Sequence, residues 1–137
     1  MDVFFYGLFM DTTILAKNGI FPSNLRKGYL QDYVLKIGNR ASLLPEKNER
    51  SWGVLMNADK DALYNLYAEP SVADYIPEEV TVHLESGDTV KAFCYNLPAA
   101  LMTGTNPTYA ASLYKLAKTL GFPNVYLKAI KKSINTI

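Results

Sequence analysis

Glu69 is the acidic side chain of this sequence best placed to move protons within a protected site. A helix that Asp59 caps carries its apolar side chains along one face up to Leu66. At 100° per residue, Glu69 falls within about 20° of Ala62, so its carboxylate would point along that apolar face. A carboxylate held against apolar groups favours its protonated form and suits general acid–base catalysis. In the alternative interpretation, Pro70 unwinds the end of the helix and leaves Glu69 in solvent.

The run from Val3 to Met10 is the second feature with chemical potential. Its first residues predict a buried β-strand that runs into a turn at Gly7, and Asp11 then caps a helix. A strand that ends in such a turn leaves backbone N–H groups free, and these attract carboxylates and developing negative charge. Alternatively, Gly7 only supplies a backbone position with positive φ.

Three tyrosines, a histidine and a cysteine are the remaining candidates. Tyr6, Tyr75 and Tyr95 stand near the turn by strand order and are predicted to hydrogen-bond a ligand. His83 falls on the polar face of its strand, which argues against a catalytic role. Cys94 lies on the same face of its predicted strand as apolar neighbours, which predicts a buried, inert thiol. One Cys and one His exclude a Cys/His zinc site, and no phosphate-binding or nucleophile-elbow motif is present.

The elements around these residues predict an α+β fold with a mixed sheet that can curl into a barrel. Pro45 is expected to end a short strand, and the polar stretch 46–50 is expected to be a solvent loop. The predicted strands are Val3–Tyr6, Tyr29–Ile37, Ala41–Pro45, Trp52–Met56, Glu79–Leu84 and Thr89–Tyr95, and the predicted helices are Asp11–Lys17, Asp59–Pro70, Asn106–Leu120 and Pro123–Ile134.

Composition narrows the class of protein further. The 137 residues suit a single domain, 1–137, with 49% hydrophobic and 20% charged residues. A net charge of +1 gives no electrostatic basis for nucleic acid or an anionic membrane as a partner. No apolar run approaches the roughly 20 residues of a membrane span, and the N-terminus does not resemble a signal peptide. With a single cysteine, we expect a cytoplasmic protein.

Four segments resemble the gamma-glutamylcyclotransferase-like superfamily, in the same order and over nearly the whole chain. The segment Leu66–Glu69, with Tyr75 six residues later, looks like the family's L-x-x-x-E…Y…V-x-V stretch, in which the glutamate is the catalytic acid and base. Two departures are Leu8-Phe9 in the loop, where small or polar residues are common, and Pro70 where glycine is common. The other three segments are Phe5–Met10, similar to the Y-G-x-x loop, Trp52–Met56, similar to the G-x-(L/V)-(Y/W) strand, and Pro107–Ile130, similar to the closing helices.

The resemblance implies a small mixed β-barrel flanked by helices and an enzyme without a metal or organic cofactor. The implied reaction is cyclisation of a γ-glutamyl amide to 5-oxoproline with release of an amine. Glu69 would be the general acid and base, and Tyr6, Gly7, Leu8, Phe9, Tyr75 and Tyr95 would bind the substrate.

Two other functions are compatible with the same residues. The first is a non-catalytic domain that binds a small ligand or a partner on this fold, since a fold does not fix a function. The second is a different amide or amine chemistry in the same pocket. The sequence leaves open the amine leaving group and the oligomeric state.

Overall fold

A computed structural model describes residues 1–134 of the chain. Within these residues, a closed five-stranded barrel is flanked by four α-helices, which confirms the predicted α+β barrel. The strands are β1 (Asp2–Phe5), β2 (Ser23–Ile37), β3 (Ala41–Asn57), β4 (Ile76–Leu84) and β5 (Thr89–Asn96), and the helices are α1 (Thr12–Lys17), α2 (Lys60–Leu66), α3 (Pro107–Thr119) and α4 (Asn124–Ile134), with 3₁₀ turns at Leu8–Met10 and Ala99–Leu101.

The barrel has the strand order β1-β3-β2-β4-β5 and closes where β1 meets β5. The closing pair is parallel, with Val3 opposite Phe93, and the other neighbouring strands are antiparallel. Strand β1 is paired along both edges and covered on both faces, and Val3 and Phe4 are at most 1% exposed. The chain leaves β1 at Tyr6 and therefore delivers its first turn to one end of the barrel.

Alternation along β1 divides the interior into two cores. Phe4 points into the barrel, where it packs with strand residues such as Leu55 and Cys94. Val3 and Phe5 point outwards and pack beneath the helices. The 3.6-residue patterns of α3 and α4 meet this outer core, as their spacing predicts. No helix within residues 1–134 is both long and apolar enough to cross a membrane.

The prediction that Pro45 ends a strand is wrong. Strand β3 continues through residues 46–50, which were expected to be a loop, and Pro45 pairs with Tyr33 in a long hairpin with β2. The register shifts between Gln31 and Tyr33, and Asp32 there has φ +67°. A proline is tolerated at such an irregularity, because the ladder of hydrogen bonds is already interrupted.

Side-chain caps begin the helices where the sequence predicts them. The carboxylates of Asp11 and Asp59 each accept a hydrogen bond of 2.9 Å from a backbone N–H of the first turn, and the Asn106 amide oxygen accepts one of 3.0 Å. Helix α2, however, ends at Leu66 and not at Pro70. The residues up to Tyr75 form a series of turns, which changes the position of Glu69.

Candidate ligand-binding cavity

A cavity of about 300 Å³ lies at the end of the barrel where β1 runs into its turn. This volume is at the lower limit of small-molecule sites. Five segments build the cavity, and most of its walls are apolar or aromatic. Its lining residues are Phe4–Phe9, Ile14, Asn39–Ala41, Tyr67, Ser71, Val72, Tyr75, Tyr95 and Tyr109.

The residues predicted to bind substrate are brought together in this cavity. They come from three separate parts of the chain, so their convergence is a property of the barrel topology. Their role in binding stays a prediction. The lining includes Tyr6, Gly7, Leu8, Phe9, Tyr75 and Tyr95.

Gly7 is required for a close approach and not for a special backbone angle. Its φ is −104°, which any residue can adopt, so the alternative of a positive-φ glycine is wrong. A Cβ atom at Gly7 would lie 2.5 Å from the Tyr109 hydroxyl. Burial raises the pKa of Tyr109 to about 12, although its hydrogen bond to the Leu8 backbone acts in the opposite direction. The missing side chain therefore lets α3 place a neutral phenol against the turn.

Two further tyrosines are fixed by hydrogen bonds to backbone carbonyls. The Tyr6 hydroxyl donates to the Tyr95 carbonyl at 2.9 Å, and the Tyr75 hydroxyl donates to the carbonyl of Ala41. Desolvation raises the pKa of Tyr6 and of Tyr75. Both phenols are therefore neutral at physiological pH and act as hydrogen-bond donors and acceptors, not as bases.

Tyr67 is a central wall residue that the sequence interpretation missed. Its ring stacks on Tyr95 with 3.9 Å between centroids, and it makes an edge contact with Phe9. A signal for it was available in the family's L-x-x-x-E spacing. In that spacing the glutamate follows the leucine by four residues, but Glu69 follows Leu66 by only three. The residue that lies four positions after a leucine is Tyr67, counted from Leu63. Desolvation raises the pKa of Tyr67 as well.

The predicted placement of Glu69 on the apolar face is wrong. Helix α2 ends at Leu66, three residues before it, and Glu69 is exposed and absent from the cavity lining. The physical reason is the alternative given above, in which the residues before Pro70 leave the helical path. The catalytic role of Glu69 stays a prediction, since the segment that carries it also supplies Ser71 and Tyr75 to the cavity.

Arg40 is the one charged residue among the described residues that line the cavity. Its guanidinium lies 3.4 Å from the Asp74 carboxylate and 5.9 Å from the centre of the Tyr75 ring. Both partners of this ion pair are partly exposed, so the pair contributes little to stability. Sequence reasoning read Arg40 only as part of a turn, because nothing in a Gly-Asn-Arg tripeptide points to a distant cavity.

The other two candidates lie outside the cavity. Cys94 is fully buried, as predicted, and desolvation raises the pKa of its thiol, which suits an inert core residue. His83 stacks on the Tyr29 ring with 5.0 Å between centroids. Residues 1–134 contain no group of three or more His, Cys, Asp or Glu side chains that could hold a metal ion.

Comparison with solved structures identifies the fold. A gamma-glutamyl cyclotransferase matches with 22% identity over 96% of this chain and 86% of its own, with a TM-score of 0.74. An uncharacterised protein from Homo sapiens matches with 21% identity over 95% and 85% of the two chains, with a TM-score of 0.75. YkqA from Bacillus subtilis matches all of this chain over 55% of its own, with 22% identity and a TM-score of 0.78.

A family model extends this result from fold to family. The AIG2-like family model matches residues 50–130, which is more than half of the chain, and the chain belongs to this family. No curated protein sequence gave a significant match. The resemblance to the gamma-glutamylcyclotransferase-like superfamily is thus confirmed for family and fold.

Proposed function

We propose that the cavity binds a small molecule that carries a carboxylate, of the γ-glutamyl or 5-oxoproline type. The observation that carries this proposal is the lining itself, where Arg40 is the charged group within a wall of tyrosines and apolar side chains. A guanidinium and neutral phenols are hydrogen-bond donors that suit a carboxylate. The apolar wall suits the methylene groups of a glutamyl chain.

The turn at Leu8 and Phe9 supplies a second set of donors. The first N–H groups of a 3₁₀ turn have no acceptor within the turn. Here the first internal hydrogen bond runs from Met10 N–H to the Gly7 carbonyl at 3.0 Å, so the turn itself leaves the Leu8 and Phe9 N–H groups unused. The Leu8 backbone meets the Tyr109 hydroxyl, and we expect the Phe9 N–H to contribute to ligand binding.

The absence of a carboxylate among the described lining residues favours binding over turnover. Cyclisation of a γ-glutamyl amide needs a group that takes a proton from the attacking amine and returns one to the leaving amine. A phenol with a raised pKa, as at Tyr67, is a poor base at neutral pH. Of the functions expected from the sequence, ligand binding on this fold is therefore better supported by the geometry than catalysis.

Cyclisation with Glu69 as general acid and base is the second candidate. It is favoured by the position of Glu69 between Tyr67 and Ser71, which both line the cavity. The turn is held locally, with 3.3 Å from the Glu69 N–H to the Leu66 carbonyl and 3.0 Å from the Val72 N–H to the Glu69 carbonyl. A rearrangement of this segment would be needed to bring the carboxylate to a bound substrate.

One experiment separates the two functions. Binding of 5-oxoproline and of several γ-glutamyl amides is measured by thermal shift, and release of 5-oxoproline is followed in the same samples. The matched variants are Glu69→Gln and Asp61→Asn, which neutralise two exposed acids, one three residues past the end of α2 and one in its first turn.

Binding without release would support the primary proposal. Release by the wild type and by Asp61→Asn, but not by Glu69→Gln, would establish the cyclotransferase and the role of Glu69. If none of these compounds raises the melting temperature and none is turned over, both functions are wrong.

A further inference from the structure

We propose that an outer groove beside the cavity binds an aromatic amino-acid arm of the γ-glutamyl ligand, with the arm's carboxylate held by Lys60. This inference rests on the proposed function, because it names the other half of a ligand whose glutamyl head occupies the cavity. The groove has a volume of about 600 Å³. It is lined by Met1, Lys60, Tyr64, Tyr67, Ala68, Tyr75, Pro77, Phe93 and Tyr95.

The groove and the cavity share three walls. Tyr67, Tyr75 and Tyr95 line both, so the two spaces are separated by one layer of aromatic rings. The stacked pair Tyr67–Tyr95 stands in the middle of that layer. The two spaces are therefore adjacent, and we expect the ligand to pass beside these rings from Arg40 to the groove.

The cavity alone offers limited room for a larger ligand. Its volume of about 300 Å³ is at the lower limit of small-molecule sites. A bulky substituent on the amine therefore needs further space, and the groove begins at the same tyrosines.

The surface of the groove is apolar and exposed. Tyr64 is 77% exposed and Phe93 38% exposed, although both are large hydrophobic residues that usually pack against something. Rings of this kind bind another ring by stacking or edge contact. The groove therefore fits a phenyl or phenol group better than a short aliphatic arm.

The charge of Lys60 favours an aromatic arm that carries a carboxylate. Lys60 carries the one charged side chain among the described residues of the groove, and no ion-pair partner of it is found within residues 1–134. The α-amino group of Met1, which also lines the groove, donates a hydrogen bond of 3.1 Å to the Ala58 carbonyl. It is also the first residue of α2, where the helix dipole disfavours a cation. A carboxylate on the arm would pair with this ammonium, whereas a cationic arm would be repelled. An aromatic amino acid joined through its amine supplies both the ring and the carboxylate.

The test compares three ligands that share the glutamyl head. These are γ-glutamylphenylalanine, γ-glutamylalanine, which lacks the ring, and γ-glutamylphenethylamide, which lacks the second carboxylate. Affinities are measured by calorimetry on the full chain, with release of 5-oxoproline monitored. The variants are Tyr64→Ala and Lys60→Met, and the control is Phe21→Ala, which removes an 80% exposed ring outside the groove.

The wild type and Phe21→Ala are expected to bind γ-glutamylphenylalanine roughly tenfold tighter than γ-glutamylalanine. Tyr64→Ala should reduce this ratio several-fold and leave the affinity for γ-glutamylalanine unchanged. Lys60→Met should weaken γ-glutamylphenylalanine about two- to fivefold and leave the phenethylamide unchanged.

Equal binding of all three ligands would overturn the groove and leave the proposed function standing, whereas binding of none would overturn both. Light scattering measures the oligomeric state and so tests whether a second copy of the chain occupies the groove instead of a ligand. A wild-type dimer that becomes a monomer in Tyr64→Ala would show that the groove is an interface between two copies and would overturn the proposal.

Discussion

Two aromatic regions of this protein have similar compositions and different consequences. The outer stack consists of Tyr29, Arg50, Trp52 and His83. In it, the Arg50 guanidinium lies 4.4 Å from the centre of the Tyr29 ring, which also contacts Trp52 and His83. The cavity also combines tyrosines with one arginine, but its rings surround about 300 Å³ of space.

The difference arises from the backbone and not from the residue types. In the outer stack, the long β2–β3 hairpin and β4 bring side chains of adjacent strands into direct contact. In the cavity, β1 ends and the chain turns away at Gly7, so the lining rings from other segments have no continuation of β1 to pack against. A set of aromatic residues therefore becomes a site only where the fold leaves room between them.

The largest effect on stability and ligand binding is expected from a substitution that adds a side chain at Gly7 in the cavity wall. Gly7→Ala places a methyl group against the buried Tyr109 hydroxyl and should lower the free energy of unfolding by about 1–3 kcal/mol, with loss of ligand binding. Urea denaturation measures the first effect. In a protein that already carries Tyr109→Phe, Gly7→Ala should lower the free energy of unfolding much less, because the hydroxyl that its methyl group would meet is gone. Equal losses in both backgrounds would contradict the close-approach explanation.

The two arginines provide the next comparison. Arg40→Ala should weaken binding of 5-oxoproline or a γ-glutamyl compound by about tenfold or more, because a charge-assisted hydrogen bond to the ligand is lost. Arg50→Ala should leave binding unchanged and lower the free energy of unfolding by about 0.5–1 kcal/mol through its lost contact with Tyr29. Calorimetry and denaturation on both variants give the four values. Equal affinities of the two variants would remove the distinction between the regions.

Alkaline pH should act on the cavity. Burial raises the pKa of Tyr109 from its usual 10 to about 12, so the folded protein holds this proton more tightly than the unfolded chain. The corresponding stability is complete below about pH 10 and is lost as the pH rises towards 12. In Tyr109→Phe, the decline of the melting temperature above pH 10 should be shallower. A slope identical to that of the wild type would show that Tyr109 does not contribute to it.

The smallest effect is expected in the outer stack. His83→Ala removes a ring that stacks on Tyr29 and should lower the free energy of unfolding by about 0.5–1 kcal/mol, with no change in ligand affinity. Denaturation and a single binding isotherm are sufficient measurements. A loss of ligand binding in this variant would mean that the outer stack and the cavity are coupled.

Local sequence determined much of this protein. The caps at Asp11, Asp59 and Asn106 fixed where helices begin, since a side-chain acceptor next to the first turn is a local property. The apolar run of β1 likewise predicted a buried strand, and Val3 and Phe4 are at most 1% exposed. The resemblance to a family, carried by spaced motifs, predicted the fold, and the six residues predicted to bind substrate are among those that line the cavity.

The tertiary structure decided which charged and aromatic groups meet. A helix of 3.6 residues per turn would have carried Glu69 to the apolar face, but α2 ends at Leu66 and the turns that follow leave it exposed. Tyr67 and Arg40 reach the cavity from segments 27 residues apart, and the periodicity of neither segment shows that both line one space. Periodicity describes one element at a time, whereas a site depends on where several elements end.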